Sequence, residues 1–304
     1  MSDYFRYSTE PVNPAMTAPA PLASSKETFE KMMAAKQVND GNYWNVMCEV
    51  FAEDFENLPK ERFKVWASVM TVPFMTRARF FDYFTAVLPA AKEDRRIRYA
   101  LEDPDVGITE QDRVIYNLFE DFTTSMNRIQ HMAHLVINGW TPEKLAELDT
   151  IVELGGGIGD MADIVYKLGF KGKYVIYDFA EVGAIQKWYH DQLGYTNIVH
   201  TSDVNDLFDA DLMIGTWSFT EMPVDLRNDI MSKIGQTKNW LIAYSNEIFG
   251  IDNDKYIREE FVPLFTQHDI EYSDIPFMPW DGGAKYLSIK YNDSYNVHND
   301  IQGE

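Results

Sequence analysis

The sequence predicts an α/β protein: an all-helical N-terminal region followed by a doubly wound parallel sheet. Three observations predict it. From about residue 25 to 147, apolar residues recur every three or four positions, the period of a helix. From 148, short apolar runs alternate with helix-sized stretches, as in a parallel sheet with crossover helices. A glycine cluster, Gly155 to Gly159, follows the first of those runs, where open α/β sheets bind their ligands.

The elements follow in order. Residues 1–24 are rich in Pro, Ala, Ser and Thr and read as a flexible arm, whose Tyr4, Phe5 and Tyr7 could dock on the body or a partner. Residues 25–147 read as a helical region, the candidate cap and substrate region of the chain. Ser25 can cap the helix KETFEKMMAAK, and helical spacing recurs in YWNVMCEVFAEDF, ERFKVWASVM and RFFDYFTAVL. Thr109 and Asp112 can open a long helix with the stripe Ile115, Leu118, Phe122, Met126, Ile129, Ala133 and Val136. Thr141-Pro142-Glu143 starts the next one, with a cap residue, a proline in the first turn and an acid near the helix dipole.

Strands are expected at 150–154, 174–178, 197–201, 211–216 and 239–245. Helices lie between or after them at 159–169, 181–193, 224–235 and 252–267. Runs such as LMIGTW and WLIAY suit strands buried on both faces. DIEYSDIPF and AKYLSIKY are joined only by MPWDGG, so they should form a hairpin with the last strand antiparallel. The sheet part spans 148–292, and 293–304 reads as a polar tail.

Composition narrows the function. With 45% hydrophobic residues a sizeable core can be built. The net charge is −21, and residues 146–304 alone hold 27 acidic against 11 basic side chains. That balance argues against a nucleic-acid or anionic-membrane partner, both of which call for a basic footprint. The one cysteine, Cys48, excludes an intrachain disulfide and sits in a helical apolar pattern. The N-terminus lacks a signal-peptide pattern, and no apolar run approaches about 18 residues, so a cytoplasmic protein is expected.

The glycine cluster reads IVELGGGIGDMA over 151–162. It lacks the lysine and hydroxyl residue of a triphosphate loop. Gly157, Gly159 and Ala162 fit a dinucleotide fingerprint, and Asp178, 19 residues past Gly159, stands where a ribose-binding acid would lie. Glu153 adds an acid before alternating glycines: Glu153, Gly155, Gly157 and Gly159. This pattern resembles motif I of the class I S-adenosylmethionine-dependent methyltransferases. The resemblance implies a Rossmann-like seven-stranded methyltransferase sheet with its last strand antiparallel. It implies S-adenosylmethionine as cofactor, with Glu153 at the loop's mouth binding its ammonium. Asp178 would take the ribose hydroxyls, Ser202-Asp203 the adenine amino group, and Thr216 the cofactor side of the fourth strand.

YVIYDFAEVGAIQKWY (174–189) and SFTEMP (218–223) resemble segments of the sugar O-methyltransferases, although Ala180 stands where proline is common. The likeness covers about 150 to 245. It implies methyl transfer to a hydroxyl of a small acceptor, a sugar or nucleotide-sugar, with no nucleic acid and no membrane. A homo-oligomer through the helical region stays open. Two other readings remain: an NAD-dependent oxidoreductase, opposed by Glu153 and the closing hairpin, and a non-catalytic binding protein of the same fold, opposed by the intact glycines and Asp178.

An alcohol acceptor must lose a proton, and the candidate bases are Glu221, His131, His134, Glu247 and Asp281. Glu221 follows the fourth strand at the ligand edge of the sheet, where it is either a base or an acid opening a helix. Asn127, His131, His134 and Asn138 share a helical stripe about 60° wide, either a face toward the cleft or a seam between helices. Trp217, Ser218 and Trp280 are further acceptor candidates. Arg95, Arg96 and Arg98 are a surface run or a site for an acidic acceptor. No metal is expected: Mg²⁺ prefers oxygen ligands, and Asp252-Asn253-Asp254 lacks the rest of a calcium loop.

Overall fold

The computed structural model describes residues 21–38, 43–71, 80–109, 116–119, 122–275 and 283–292. The arm's Tyr4, Phe5 and Tyr7, the candidates Trp280 and Asp281, and the tail 293–304 lie outside the described residues.

The N-terminal part begins with helices α1 (Lys26–Val38) and α2 (Tyr43–Asn57), then α3 (Ala67–Thr71), α4 (Phe80–Glu93) and α5 (Arg95–Leu101). Ser25 caps α1 as expected, its hydroxyl accepting from the Thr28 amide at 3.0 Å. The long helix expected after Thr109 is shorter than the periodicity suggested. Residues 116–119 and 122–124 instead form two antiparallel strands, β1 (Tyr116–Phe119) and β2 (Phe122–Thr124), with Tyr116 opposite Thr124. The N-terminal part is therefore helical with one small hairpin. The aromatic and β-branched residues of YNLF and FTT suit strands, and Ser125 starts the next helix by capping the Arg128 amide. That helix is α6 (Met126–Ile137), followed by α7 (Pro142–Ala146), which Thr141 caps as expected.

The sheet part runs β3 (Thr150–Leu154), α8 (Asp160–Lys167), β4 (Lys173–Tyr177), α9 (Ala180–Leu193), β5 (Ile198–Thr201), β6 (Leu212–Thr216), α10 (Ser218–Glu221), α11 (Val224–Ile234) and β7 (Asn239–Ser245). A short ribbon, β8 (Glu247–Ile248) with β9 (Ile251–Asp252), leads to α12 (Asn253–Tyr256). Asp252 caps α12, and the helix expected through 267 is broken there into short π and 3₁₀ turns. The closing hairpin is β10 (His268–Asp274) and β11 (Ala284–Tyr291).

Seven strands form one sheet in the order β10-β11-β7-β6-β3-β4-β5, and β11 alone is antiparallel to its neighbours. This is the Rossmann-like methyltransferase sheet. Strand order, built outward from β3 to β5 and then from β6 on its other side, reverses between the parallel strands β3 and β6, so the loop after β3 sits at the switch point where open α/β sheets take ligands. Alternation along β3 divides its residues: Ile151 joins the core under α4, α5, α6 and α8, while Val152 and Leu154 join the core under α11. Helices α1 and α2 pack on α9 through Met47, Phe51, Val182, Ile185 and Tyr189. No described helix is long and apolar enough to cross a membrane.

A buried ion cluster fixes the cap onto this frame. Arg128, fully buried, lies 2.7 Å from Asp163 and 3.2 Å from Asp160, and its other nitrogen donates to the Ala100 carbonyl. Asp160 also accepts from Asn127 at 2.9 Å and from the Tyr189 hydroxyl at 3.0 Å. Lys64, bonded to Asp103 at 2.6 Å, approaches Asp160 at 4.0 Å. Burial works against the Asp160 charge, but Lys64 and Arg128 outweigh it and hold the carboxyl well below the usual carboxylate range.

Removing one member of such a cluster leaves buried charges uncompensated, which costs about 3–5 kcal/mol. Arg128→Leu is expected to lower unfolding stability by that amount in urea titration. A loss under about 1 kcal/mol would show that the cluster is not what anchors α6.

Candidate functional site

The site begins with the turn between β3 and α8. Gly155, Gly157 and Gly159 all take positive φ, at 70°, 56° and 93°, a region that costs other residues energy. Their surroundings differ. A Cβ on Gly155 would lie 2.3 Å from the Ser218 Cβ, and one on Gly159 would lie 2.8 Å from the His190 ring. A Cβ on Gly157 would meet nothing within 4 Å, because that face opens into a cavity.

Residues from α9 hold the turn. Gln186 donates to the Gly157 carbonyl at 2.9 Å and to Asp178 Oδ2 at 2.7 Å. His190 Nε2 meets the Gly159 carbonyl at 2.9 Å, and its Nδ1 meets His200 Nε2 at 2.9 Å. With Nε2–H donating to the carbonyl, His190 Nδ1 accepts from the His200 Nε2–H, so the His190 ring is neutral. Burial lowers both histidines, His200 to about 4. The sequence reading missed all three side chains. Their signal was present: Gln186 and His190 are four residues apart on the α9 face that also carries Val182, Ile185 and Tyr189.

The cavity beside Gly157 has a volume of about 500 Å³. Asp178, Ser202, Ser218 and Glu221 line its sheet side, and Trp44, Phe51 and Val69 roof it. Asp178 accepts from the Phe179 amide at 2.8 Å, from Gln186, and from the amides of Gly156 and Gly157. Burial outweighs these bonds and pushes its carboxyl up to about 6. Burial likewise raises Glu221 to about 7, although the Trp44 side chain hydrogen-bonds it. Trp44 also stacks on Phe179, ring centres 6.3 Å apart.

A second, smaller chamber of about 20 Å³ adjoins the first, and Val69, Gly155, Gly157 and Ile158 line both. Its remaining walls are Asn127, Gln130, His131 and His134 from α6 and Thr216 and Trp217 from the end of β6. That volume holds about one water-sized group. His131 Nδ1 and His134 Nε2 are buried with no partner among the described residues. Burial pushes His131 down to about 4 and His134 well below its usual value, so both rings are neutral at pH 7. Trp217 has φ 76° and ψ −49°, the strained γ-turn region, and such strain clusters at functional sites.

The expected site residues divide accordingly. Gly155, Gly157, Asp178, Ser202 and Ser218 meet around the large cavity, and Asn127, His131, His134, Thr216 and Trp217 around the small one. Gly159 caps α8 against His190 instead of lining either space. Glu221 borders the large cavity and does not line the chamber with the histidines. Glu153 is not at the loop's mouth: it is 1% exposed, points beneath the loop and accepts from the Tyr174 hydroxyl at 3.0 Å. Burial pushes it up to about 8. Asp203 turns away to cap residues 204–206 through the Asn205 amide. The Asn127 amide N–H is committed to Asp160. Glu247 lies in the β8 ribbon, exposed and outside both cavities. Arg96 pairs with Asp94 and Glu143 on the surface.

No protein-family model matches the chain, and no curated protein matches it. Solved structures do. The magnesium protoporphyrin IX methyltransferase of Synechocystis, solved with S-adenosylhomocysteine, is 14% identical, with 68% of this chain and 95% of that one covered at a TM-score of 0.41. The ribosomal protein L11 methylase of Lactobacillus delbrueckii is 16% identical over 54% and 79% of the two chains, TM-score 0.36. An RNA methyltransferase candidate of Pyrococcus horikoshii is 11% identical over 55% and 84%, TM-score 0.40. These neighbours correct the partner expectation. Proteins named for RNA and ribosomal-protein methylation share the likeness, so the exclusion of nucleic acid and the assignment of a sugar or nucleotide-sugar acceptor are both withdrawn.

Two outcomes are expected from this geometry. Gly155→Ala should destabilise clearly more than Gly157→Ala in denaturant titration, since only the first adds a clash to the cost of about 1–2 kcal/mol for positive φ. Equal losses would contradict the open face at Gly157. Acidification should also loosen the His190–His200 pair. Their folded pKa values lie below the unfolded value near 6.5, so the unfolded chain binds more protons between about 4 and 6.5. Stability is then lost as pH falls through that window. His200→Gln should flatten the slope of Tm against pH, and an unchanged slope would count against the pair.

Proposed function

We propose that this chain is an S-adenosylmethionine-dependent methyltransferase that methylates a hydroxyl oxygen. The observation that carries the reading is the pair of joined cavities on one glycine turn. The large one offers Asp178 and an open Gly157 face, and the small one offers neutral imidazoles. Bound in the large cavity, S-adenosylmethionine supplies a methyl group already activated on a sulfonium. Asp178 has the acceptor oxygens for the two ribose hydroxyls, with Ser202 further along the same wall. Trp44 and Phe179 flank the cavity with aromatic surface. Glu153 supports the turn from below through Tyr174.

The chain's own residues then align the acceptor and take its proton. The acceptor oxygen enters the small chamber with His131 and His134 beside it. S-adenosylmethionine held in the large cavity would supply the methyl group to that oxygen and would be left as its neutral thioether. The hydroxyl proton passes to the neutral His131 Nδ1, so the positive charge lost from sulfur reappears on the imidazolium. A ring with a pKa near 4 suffices, because an alcohol oxygen becomes strongly acidic as it gains the methyl group. Glu221 stays with the cofactor side, beside Trp44.

Calorimetric titration with S-adenosylhomocysteine tests the cofactor half. Micromolar binding is expected, and Asp178→Ala should weaken it by about tenfold or more. The carboxylate accepts from hydroxyls best when ionised, so affinity should hold above pH 7 and fall as pH drops through about 6. The limit is about tenfold per pH unit. Asp178→Asn should remove that pH dependence. Binding of NAD in place of S-adenosylhomocysteine, or full affinity in Asp178→Ala, would sink the reading.

A further inference from the structure

His134, on the wall of the small chamber, has a partner from a distant part of the chain. Tyr286 lies on β11, 152 residues from His134, and its hydroxyl sits 2.8 Å from His134 Nδ1. Tyr286 is 1% exposed and His134 fully buried, so water does not reach this bond. His134 Nδ1 is the phenol's one polar partner among the described residues. Tyr83 packs on the same ring at 5.7 Å between centres, and Trp217 at 6.0 Å.

Two arrangements of protons fit this bond. If Nδ1–H donated to the phenol oxygen, the phenol hydrogen would be buried without an acceptor. The His134 Nε2 lone pair would be unmatched as well. If the phenol donates to Nδ1, one group alone is left over, the Nε2–H. Each buried unmatched polar group costs about 1–3 kcal/mol, so the second arrangement is favoured. His134, whose ring lines the chamber, is then left with Nε2–H as a free hydrogen-bond donor among the described residues. His131, neutral and 6.4 Å away between ring centres, lines the same chamber, and its buried Nδ1 has no partner among the described residues.

We infer that Tyr286 is a positioning residue that holds His134 in its Nε2–H form, so that the chamber presents one donor and one acceptor and selects a neutral hydroxyl as the methyl acceptor. A hydroxyl satisfies both rings: its oxygen accepts from His134, and its hydrogen goes to His131 Nδ1. An alkylammonium has no lone pair for His134, and a carboxylate has no hydrogen for His131. Entering a chamber of about 20 Å³ without a counter-charge, either ion also loses its hydration uncompensated. The inference rests on reading this chamber as the acceptor site, and it narrows the acceptor to a protruding alcohol or phenol.

Nitrogen-15 NMR of histidine-labelled protein saturated with S-adenosylhomocysteine tests it. The wild type should show His134 protonated at Nε2 and unprotonated at Nδ1. Tyr286→Phe should lose that single assignment while still binding S-adenosylhomocysteine within about threefold. Methanol, the smallest alcohol probe, should shift the His131 and His134 signals, and methylammonium chloride at the same concentration should not. A wild-type His134 protonated at Nδ1 overturns the inference. So does a chamber deaf to methanol, which would then be a structural water site. If Tyr286→Phe does not fold, the wild-type assignment and the methanol titration decide. Failure to bind S-adenosylhomocysteine would be read separately, as failure of the proposed function.

Discussion

The whole arrangement hangs on a buried cluster of opposite charges. Arg128 sits between Asp160 and Asp163, and Lys64 and Lys167 stand at its two ends. Asp160 and Asp163 open helix α8, directly after the glycine turn, and Arg128 lies in the first turn of α6. The bridge therefore ties the cap to the element that follows the cofactor loop. It also sets the rotation of α6. With Asn127 and Arg128 turned to Asp160, helical geometry carries His131 and His134, one and two turns on, along the wall of the small chamber. A hydrophobic seam could hold α6 as tightly, but it would tolerate sliding. Charge pairs in a dry interior fix one register, because every alternative leaves a charge unmatched.

The same burial that makes this cluster costly shapes the acids of the site. Asp178, Glu221 and Glu153 are raised to about 6, 7 and 8, in each case chiefly by desolvation. A cavity with such acids is short of positive charge. Asp178 and Glu221 line the large cavity, and a ligand carrying a sulfonium and an ammonium would lower both and be held by them. The chamber beyond has the opposite character: its histidines are neutral, and among the described residues no charged side chain lines it. Positive charge is thus favoured in the large cavity and disfavoured in the small one, a polarity that suits the proposed transfer of methyl from a cation to a neutral oxygen.

Much of this was legible in the sequence. The strands at 150–154 and 239–245 match, and the other three expected parallel strands begin or end within about a residue of their predicted bounds. Continuous apolar runs between turns leave little choice. The glycine turn and Asp178 were also legible, because positive φ and a strand-end acid are local properties. Residues 116–124 were not. Their apolar residues keep helical spacing, but the residues themselves are aromatic and β-branched, and strand pairing prevailed over period. Asp203 was misplaced because an acid beside a short turn serves its own backbone before any ligand. Glu153 was drawn to the mouth of the loop by its place in the motif. Alternation along β3 in fact turns it inward beside Tyr174. Tyr286 and His200 act through partners on other elements, and nothing local in the sequence marks such pairings.

The most direct test of the account is a crystal structure of the complex with S-adenosylhomocysteine. The account predicts ribose hydroxyls on Asp178 and the sulfur at the junction near Gly155 and Gly157, facing the His131–His134 chamber. An amino-acid end lodged among His131, His134 and Trp217 would contradict it. The chamber would then belong to the cofactor, and the acceptor would have to react elsewhere.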